Sequence, residues 1–173
     1  VSRGLGDVDN RQQYSVQISG NTIHTTDESL LPVRNSQVLS VEMSIGDTFE
    51  DVYPRVERAL ERVDLDDLEQ AFAVCFAVDG NVPTMETMRT IADVAATTWE
   101  EYDREGPVLV ILDMDLAQSV GSHIEKRLSD RGVITVDGID VGSLEYVDVG
   151  DSLEDSGAVP VIVKSLVFGA RPE

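Results

Sequence analysis

The chain has 173 residues, with 33 acidic side chains against 13 basic ones and a formal net charge of −20. That length suits one domain or one lobe of a larger protein, and an apolar content of 42% is enough to bury a core. The charge argues against nucleic-acid binding through a basic face. No apolar run approaches the ~18 residues that a membrane-spanning helix needs.

In chain order, QYSVQISGNTIHTT alternates polar and apolar residues around Ser19-Gly20-Asn21, a pattern that predicts a β-hairpin. A turn in LPVRNSQVLSVEM leads to a strand near Gln37 to Met43. GDTFEDVYPRVERALERVD then predicts a helix, with Asp47 as N-cap and Glu50 three residues on, as in a capping box. Phe49, Val52, Val56, Leu60 and Val63 form its apolar stripe. Pro54 lies inside and is expected to kink or restart the helix.

AFAVCFAV is short and uniformly apolar, so it reads as a buried strand. After the loop DGNVP, a long helix from Thr84 carries Met85, Met88, Ile91, Ala95, Trp99 and Tyr102 along one side as a core stripe. PVLVIL is the next buried strand. The helix after Asp115 places Leu116, Val120, Ile124 and Leu128 on one face, with Gly132 as its expected C-cap. VITVDGI, LEYVDV and VPVIVKSLVF are three further strands. Buried strands alternating with amphipathic helices define a layered α/β domain, expected to span residues 1–173 as one unit.

The basic residues are eleven arginines and only two lysines, Lys126 and Lys164, while Asp outnumbers Glu by 19 to 14. Self-repulsion at this charge destabilises a compact state at low salt. The composition therefore predicts adaptation to molar intracellular salt, in the cytoplasm of an extreme halophile. Cys75 is the single cysteine, so an intrachain disulfide is impossible, and its apolar surroundings place it in the core. His24 and His123 are the only histidines and lie far apart in sequence, a poor basis for a zinc site.

No Walker loop, GxSxG or GxGxxG motif is present; Lys164-Ser165 lacks a glycine lead-in, and Gly121-Ser122-His123 falls inside a helix. VLVILDMDLAQSVG contains the remaining candidate chemistry. An apolar strand followed by Asp113 and Asp115 is similar to the first motif of haloacid dehalogenase-like phosphatases, where one Asp is the nucleophile, the other a general acid, and Mg²⁺ screens the phosphate. Leu116-Ala117-Gln118 stands where that motif has a small Gly-Thr turn. The structural alternative is that Asp115 caps the following helix, accepting a hydrogen bond from its first turn. Lys164, in an apolar strand, must find a partner, occupy an edge position or snorkel to solvent.

Five blocks in order, QYSVQISGNTI, LLPVRNSQV, VLVILDMDLAQSVG, VDGIDVGSLEYVDVG and VPVIVKSLVF, resemble the C-terminal part of the EutA family, the reactivating factors of ethanolamine ammonia-lyase. The resemblance implies one lobe of an actin/Hsp70-like ATPase, with a mixed, ribonuclease H-like sheet and helices packed on it. It makes the chain the C-terminal lobe of a longer two-lobe protein. It implies ATP and Mg in that protein, with chaperone-like release of damaged cobalamin from the lyase as its work. It implies ethanolamine ammonia-lyase as partner, and no catalytic residue in this chain alone. Asp113 and Lys164 are the candidate nucleotide contacts, and Tyr146 and Asp148 the candidate partner contacts. Two other readings are a Mg-dependent phosphatase using Asp113 and Asp115, and a protein-binding module that needs no nucleotide.

Overall fold

A computed structural model describes residues 13–19, 23–31, 33–62, 72–80, 82–102, 106–139, 146–150 and 160–166. Its strands are β1 (Gln13–Ser19), β2 (Ile23–Thr25), β3 (Val33–Ser44), β4 (Phe72–Asp79), β5 (Val108–Leu112), β6 (Val133–Val136), β7 (Tyr146–Val149) and β8 (Pro160–Leu166). Its helices are α1 (Phe49–Glu61), α2 (Met85–Tyr102) and α3 (Ala117–Arg127). The eight strands form one mixed sheet in the order β1-β8-β7-β3-β4-β5-β6-β2. This is the layered α/β architecture expected from the sequence, and it is consistent with one lobe of an actin/Hsp70-like protein.

The apolar runs of β4 and β5 are buried almost throughout, as strands covered on both faces must be. β3, β4, β5 and β6 are parallel and adjacent in chain order, each linked to the next through a helix. Helix residues Val52, Val56, Leu60, Ile91, Trp99, Val120 and Ile124 share one core with alternate strand residues such as Val41, Val74, Phe76 and Val110. All three helices therefore cover the same face. Phe72 and Trp99 stack there at 4.7 Å, a contact worth about 1 kcal/mol beyond the area it buries.

The opposite face holds a second core, in which Cys75, Leu109, Ile111, Ile134 and Val136 meet Val149 of β7 and Val161 of β8. β3 makes this possible. Its first half pairs with β7 through a register shift between Val33 and Ser36, and its second half pairs with β4. The sheet thus folds across its own back.

Chain continuity requires the same curl. Only residues 20–22 separate β1 from β2, at opposite ends of the strand order. Ser19 and Ile23 can be no more than about 15 Å apart, whereas a flat sheet of this width would separate its edges by about 34 Å. The hairpin expected from QYSVQISGNTIHTT is consequently not formed: β1 pairs with β8, and β2 with β6. The alternation marked two strands correctly, but both found partners distant in sequence.

Other local expectations shift for identifiable reasons. The N-cap of α1 is Thr48, whose amide and hydroxyl donate to the Asp51 carboxylate at 2.9 and 3.0 Å, so the Asp47/Glu50 pairing is one residue early. Asp47 instead accepts from the Ser44 amide. α1 runs through Pro54, where the lost bond involves the carbonyl of Glu50, an exposed residue of the first turn. Met85 is 65% exposed and is not part of the α2 stripe, which Ile91, Ala95 and Trp99 carry. Thr84 accepts the Thr87 amide and starts that helix.

α3 ends at Arg127 with Leu128 at its C-cap, so Gly132 is not the cap. Gly132 instead lies against Leu30, whose Cδ1 would be 2.6 Å from an added Cβ. Val63 lies outside the described residues. No helix among the described residues is long and apolar enough to cross a membrane.

Candidate functional site

The carboxyl ends of β3, β4 and β5 open into a groove of about 950 Å³. One wall is α1, which contributes Arg55, Arg58 and Arg62; the other is Ser40, Glu42 and Ser44 of β3 with Asp79 and Asp113. The arginines share a flank of α1 because three- and four-residue steps return to the same side of a helix.

Asp113 follows β5 directly, and both of its carboxylate oxygens lie 3.2 Å from the Val78 amide of β4. The side chain prolongs the β4–β5 ladder by one acceptor after the backbone pairing ends at Phe76 and Leu112. The contact gives Asp113 a structural role at the end of the ladder. Asp115 is exposed and does not cap α3. The first amide of α3, from Ala117, donates instead to Asp137 at 2.8 Å, a buried carboxylate that follows β6. Thr135 of β6 donates to the Ala117 carbonyl at 2.6 Å, so β6 and the residue that follows it hold both polar groups of Ala117.

At the β3 edge, Arg55 donates through Nη1 to the Glu42 carbonyl and to Asp47, each at 2.9 Å. The Ser44 amide donates to the same Asp47 carboxylate. That amide, with the Arg55 guanidinium second, holds the Asp47 carboxyl below the usual range.

Lys164 is far from this arrangement in the strand order: it is on β8, with β7, β3 and β4 between it and β5. β8 is flanked by β1 and β7, so Lys164 is not on an edge strand. The register sets Tyr146 opposite Lys164, with Asp148 two residues farther along β7. Lys164, Tyr146 and Asp148 are therefore neighbours in the β7–β8 ladder, whereas Asp113 follows β5.

His24 bonds Glu125 and His123 bonds Asp93, so each histidine has its own carboxylate. Among the described residues, no three His, Cys, Asp or Glu side chains form a metal cluster. Cys75 is fully enclosed, and burial pushes its thiol well above the ordinary range.

Two features were missed in the sequence. Asp137 has the same signal as Asp113, an Asp closing an apolar run, as VITVD repeats VLVILD. The Arg55, Arg58, Arg62 spacing was also visible, but its meaning depends on which strand edge lies beside α1.

The fold and groove define a protein class: an α/β lobe whose parallel strands advance in one direction under a single layer of helices, with a polar groove at their carboxyl ends. Residues 10–169 match the family model described as ethanolamine utilisation protein EutA, and the chain belongs to that family. It is similar to the ethanolamine ammonia-lyase reactivase EutA of Salmonella typhimurium, 27% identical over 156 residues that cover 90% of this chain and 32% of that protein. The protein of the same name from Escherichia coli shows the same identity and coverage. The chain thus spans about a third of the length of the curated relatives it matches. No solved structure matches it.

Proposed function

We propose that this chain is the C-terminal part of a reactivating factor for ethanolamine ammonia-lyase, and that it works on the lyase as a chaperone-like device. The observation that carries the reading is the EutA family match over residues 10–169, supported by relatives named for reactivation of that lyase. In this reading ATP and Mg act in the full-length protein, and their turnover drives exchange of damaged cobalamin for intact adenosylcobalamin. A nucleotide contact from this chain falls first to Asp113, on the groove rim. Lys164 contributes a second contact only if another part of the protein brings nucleotide to β8; otherwise it joins Tyr146 and Asp148 as lyase-facing surface. The charge of −20 fits work in a high-salt cytoplasm.

The test uses lyase inactivated by bound damaged cobalamin, mixed with the full-length protein, adenosylcobalamin, and Mg·ATP or no nucleotide. Acetaldehyde formation from ethanolamine is expected to return only with Mg·ATP. Failure to restore activity at low and at multi-molar KCl rejects the reading. Restoration without nucleotide assigns the work to a nucleotide-independent binding module.

A further inference from the structure

α3 departs from the acidic pattern of the chain. Of the three described helices, α1 carries four acidic residues against two basic ones and α2 four against one, whereas α3 sets Glu125 alone against Lys126 and Arg127. Glu125 serves the β2 side, where it meets His24 Nε2 at 3.1 Å. The opposite flank, toward α2, carries Ser119, Ser122, His123 and Lys126, which steps of three and four residues bring to one side of a helix. With Gln118, and with Met88 of α2, they line a pocket of about 370 Å³ that has no carboxylate in its walls.

The α2 carboxylates that reach toward α3 are already committed. Asp93 meets His123 Nε2 at 3.3 Å and Arg127 Nη1 at 3.4 Å, and Glu100 accepts from Arg127 at 2.8 Å. Lys126, one of only two lysines in the chain, has no ion pair or hydrogen bond among the described residues. A protein of net charge −20 thus faces one small pocket with an unneutralised ammonium, two hydroxyls and a carboxamide. The pocket shares no wall residue with the groove at Asp113. Ile139, the last described residue before β7, packs in the core on the other face of the sheet, away from α2 and α3.

We propose that the α2–α3 pocket binds a small phosphate monoester, with the phosphoryl group on Lys126, Ser119 and Ser122. A phosphoryl group offers oxygens in tetrahedral directions, which a point-like ammonium and separate hydroxyls satisfy from different sides. A carboxylate would be better matched by the planar fork of an arginine, and no arginine is in the walls. Gln118 donates through its carboxamide, and His123 is fixed in the wall by Asp93. The volume is at the small end of ligand pockets, which run from about 300 to 1,000 Å³. It fits a short ester whose carbon chain lies against Met88, the one apolar wall.

The probe is propyl phosphate, titrated into the 173-residue chain in about 1 M KCl, where the field of the net charge is screened within about 3 Å. Backbone amide shifts read by NMR are expected to move saturably in α3 from Gln118 to Lys126. Lys126→Gln should weaken binding about tenfold and Ser119→Ala about fivefold. Both positions are exposed, so the fold tolerates the changes. Arg89→Gln removes one exposed charge from α2 outside the pocket and should leave the affinity unchanged. Absence of saturable shifts in α3 overturns the proposal. Equal weakening by Lys126→Gln and Arg89→Gln also overturns it, since the effect is then one of general charge. Butyrate binding as tightly as propyl phosphate assigns the pocket to carboxylates and overturns it too. So does inorganic phosphate binding tighter than the ester, which leaves Met88 no part.

Discussion

The buried Asp137 carboxylate accepts the first amide of α3, Ala117 N–H, at 2.8 Å, although the two residues are twenty positions apart. The helix is therefore capped from the next strand, while Asp115 beside it stays in solvent. Asp137→Ala leaves a buried N–H without its acceptor and should destabilise the chain by about 1–3 kcal/mol. Asp115→Ala should change stability by less than about 0.5 kcal/mol. Urea unfolding of both variants, followed through Trp99, measures the difference. Equal effects would show that Asp137 does not cap α3.

Gly121 is the point where α3 crosses β2. A Cβ there would lie 2.4 Å from His24 Cδ2 and 2.7 Å from Thr135 Oγ1. His24 is held by Glu125, and Thr135 by the Ala117 carbonyl, so neither neighbour moves without breaking a bond. Gly121→Ala should cost about 1–3 kcal/mol despite the better helix propensity of alanine. The same variant combined with His24→Ala should recover part of the loss. No recovery in denaturant midpoints would mean that the clash is not with His24.

How much of this was legible in the sequence depended on the range of the interaction. The Val52-Val56-Leu60 and Val120-Ile124-Leu128 stripes reached the core as expected, because helical period is a local property. The runs around Cys75 and Ile111 became buried strands for the same reason. Pairing was not legible: the residues that alternate around Ser19 had to find β8 and β6, which lie more than a hundred residues away. Capping was legible only where the cap is local. Thr48 and Asp51 were one step from the expected pair, whereas the cap of α3 is Asp137, which no window around Asp115 contains. Asp113 could be placed at a strand end, but its bond to Val78 needed the register of β4 against β5.

Asp47 links the turn after β3 to α1 through the Ser44 amide and Arg55, and these bonds lower its carboxyl below the ordinary value of 3.8. A lowered folded-state value means that its stabilisation is complete above the unfolded carboxylate range and is lost as pH falls through the folded value. Asp47→Asn should therefore be less stable than the natural chain by about 1 kcal/mol near neutral pH. The gap should close as pH drops below 3.8. Thermal midpoints across this range test it, and a gap independent of pH would show that the bonds do not depend on the carboxylate charge.

The charge of −20 makes salt dependence a sharper test of the surface than any single substitution. Screening of exposed charges is largely finished once the Debye length falls to about 3 Å, near 1 M salt. If repulsion alone limits stability, the thermal midpoint should rise with KCl and level off by then. Adaptation to a high-salt cytoplasm predicts a further rise between about 1 and 3 M, where simple screening has nothing left to remove. Trp99, buried against Phe72, reports the transition. Adding sucrose in place of KCl separates general exclusion of solutes from a need for ions. A midpoint that is flat across the KCl series would show that the acidic surface is not an adaptation to salt.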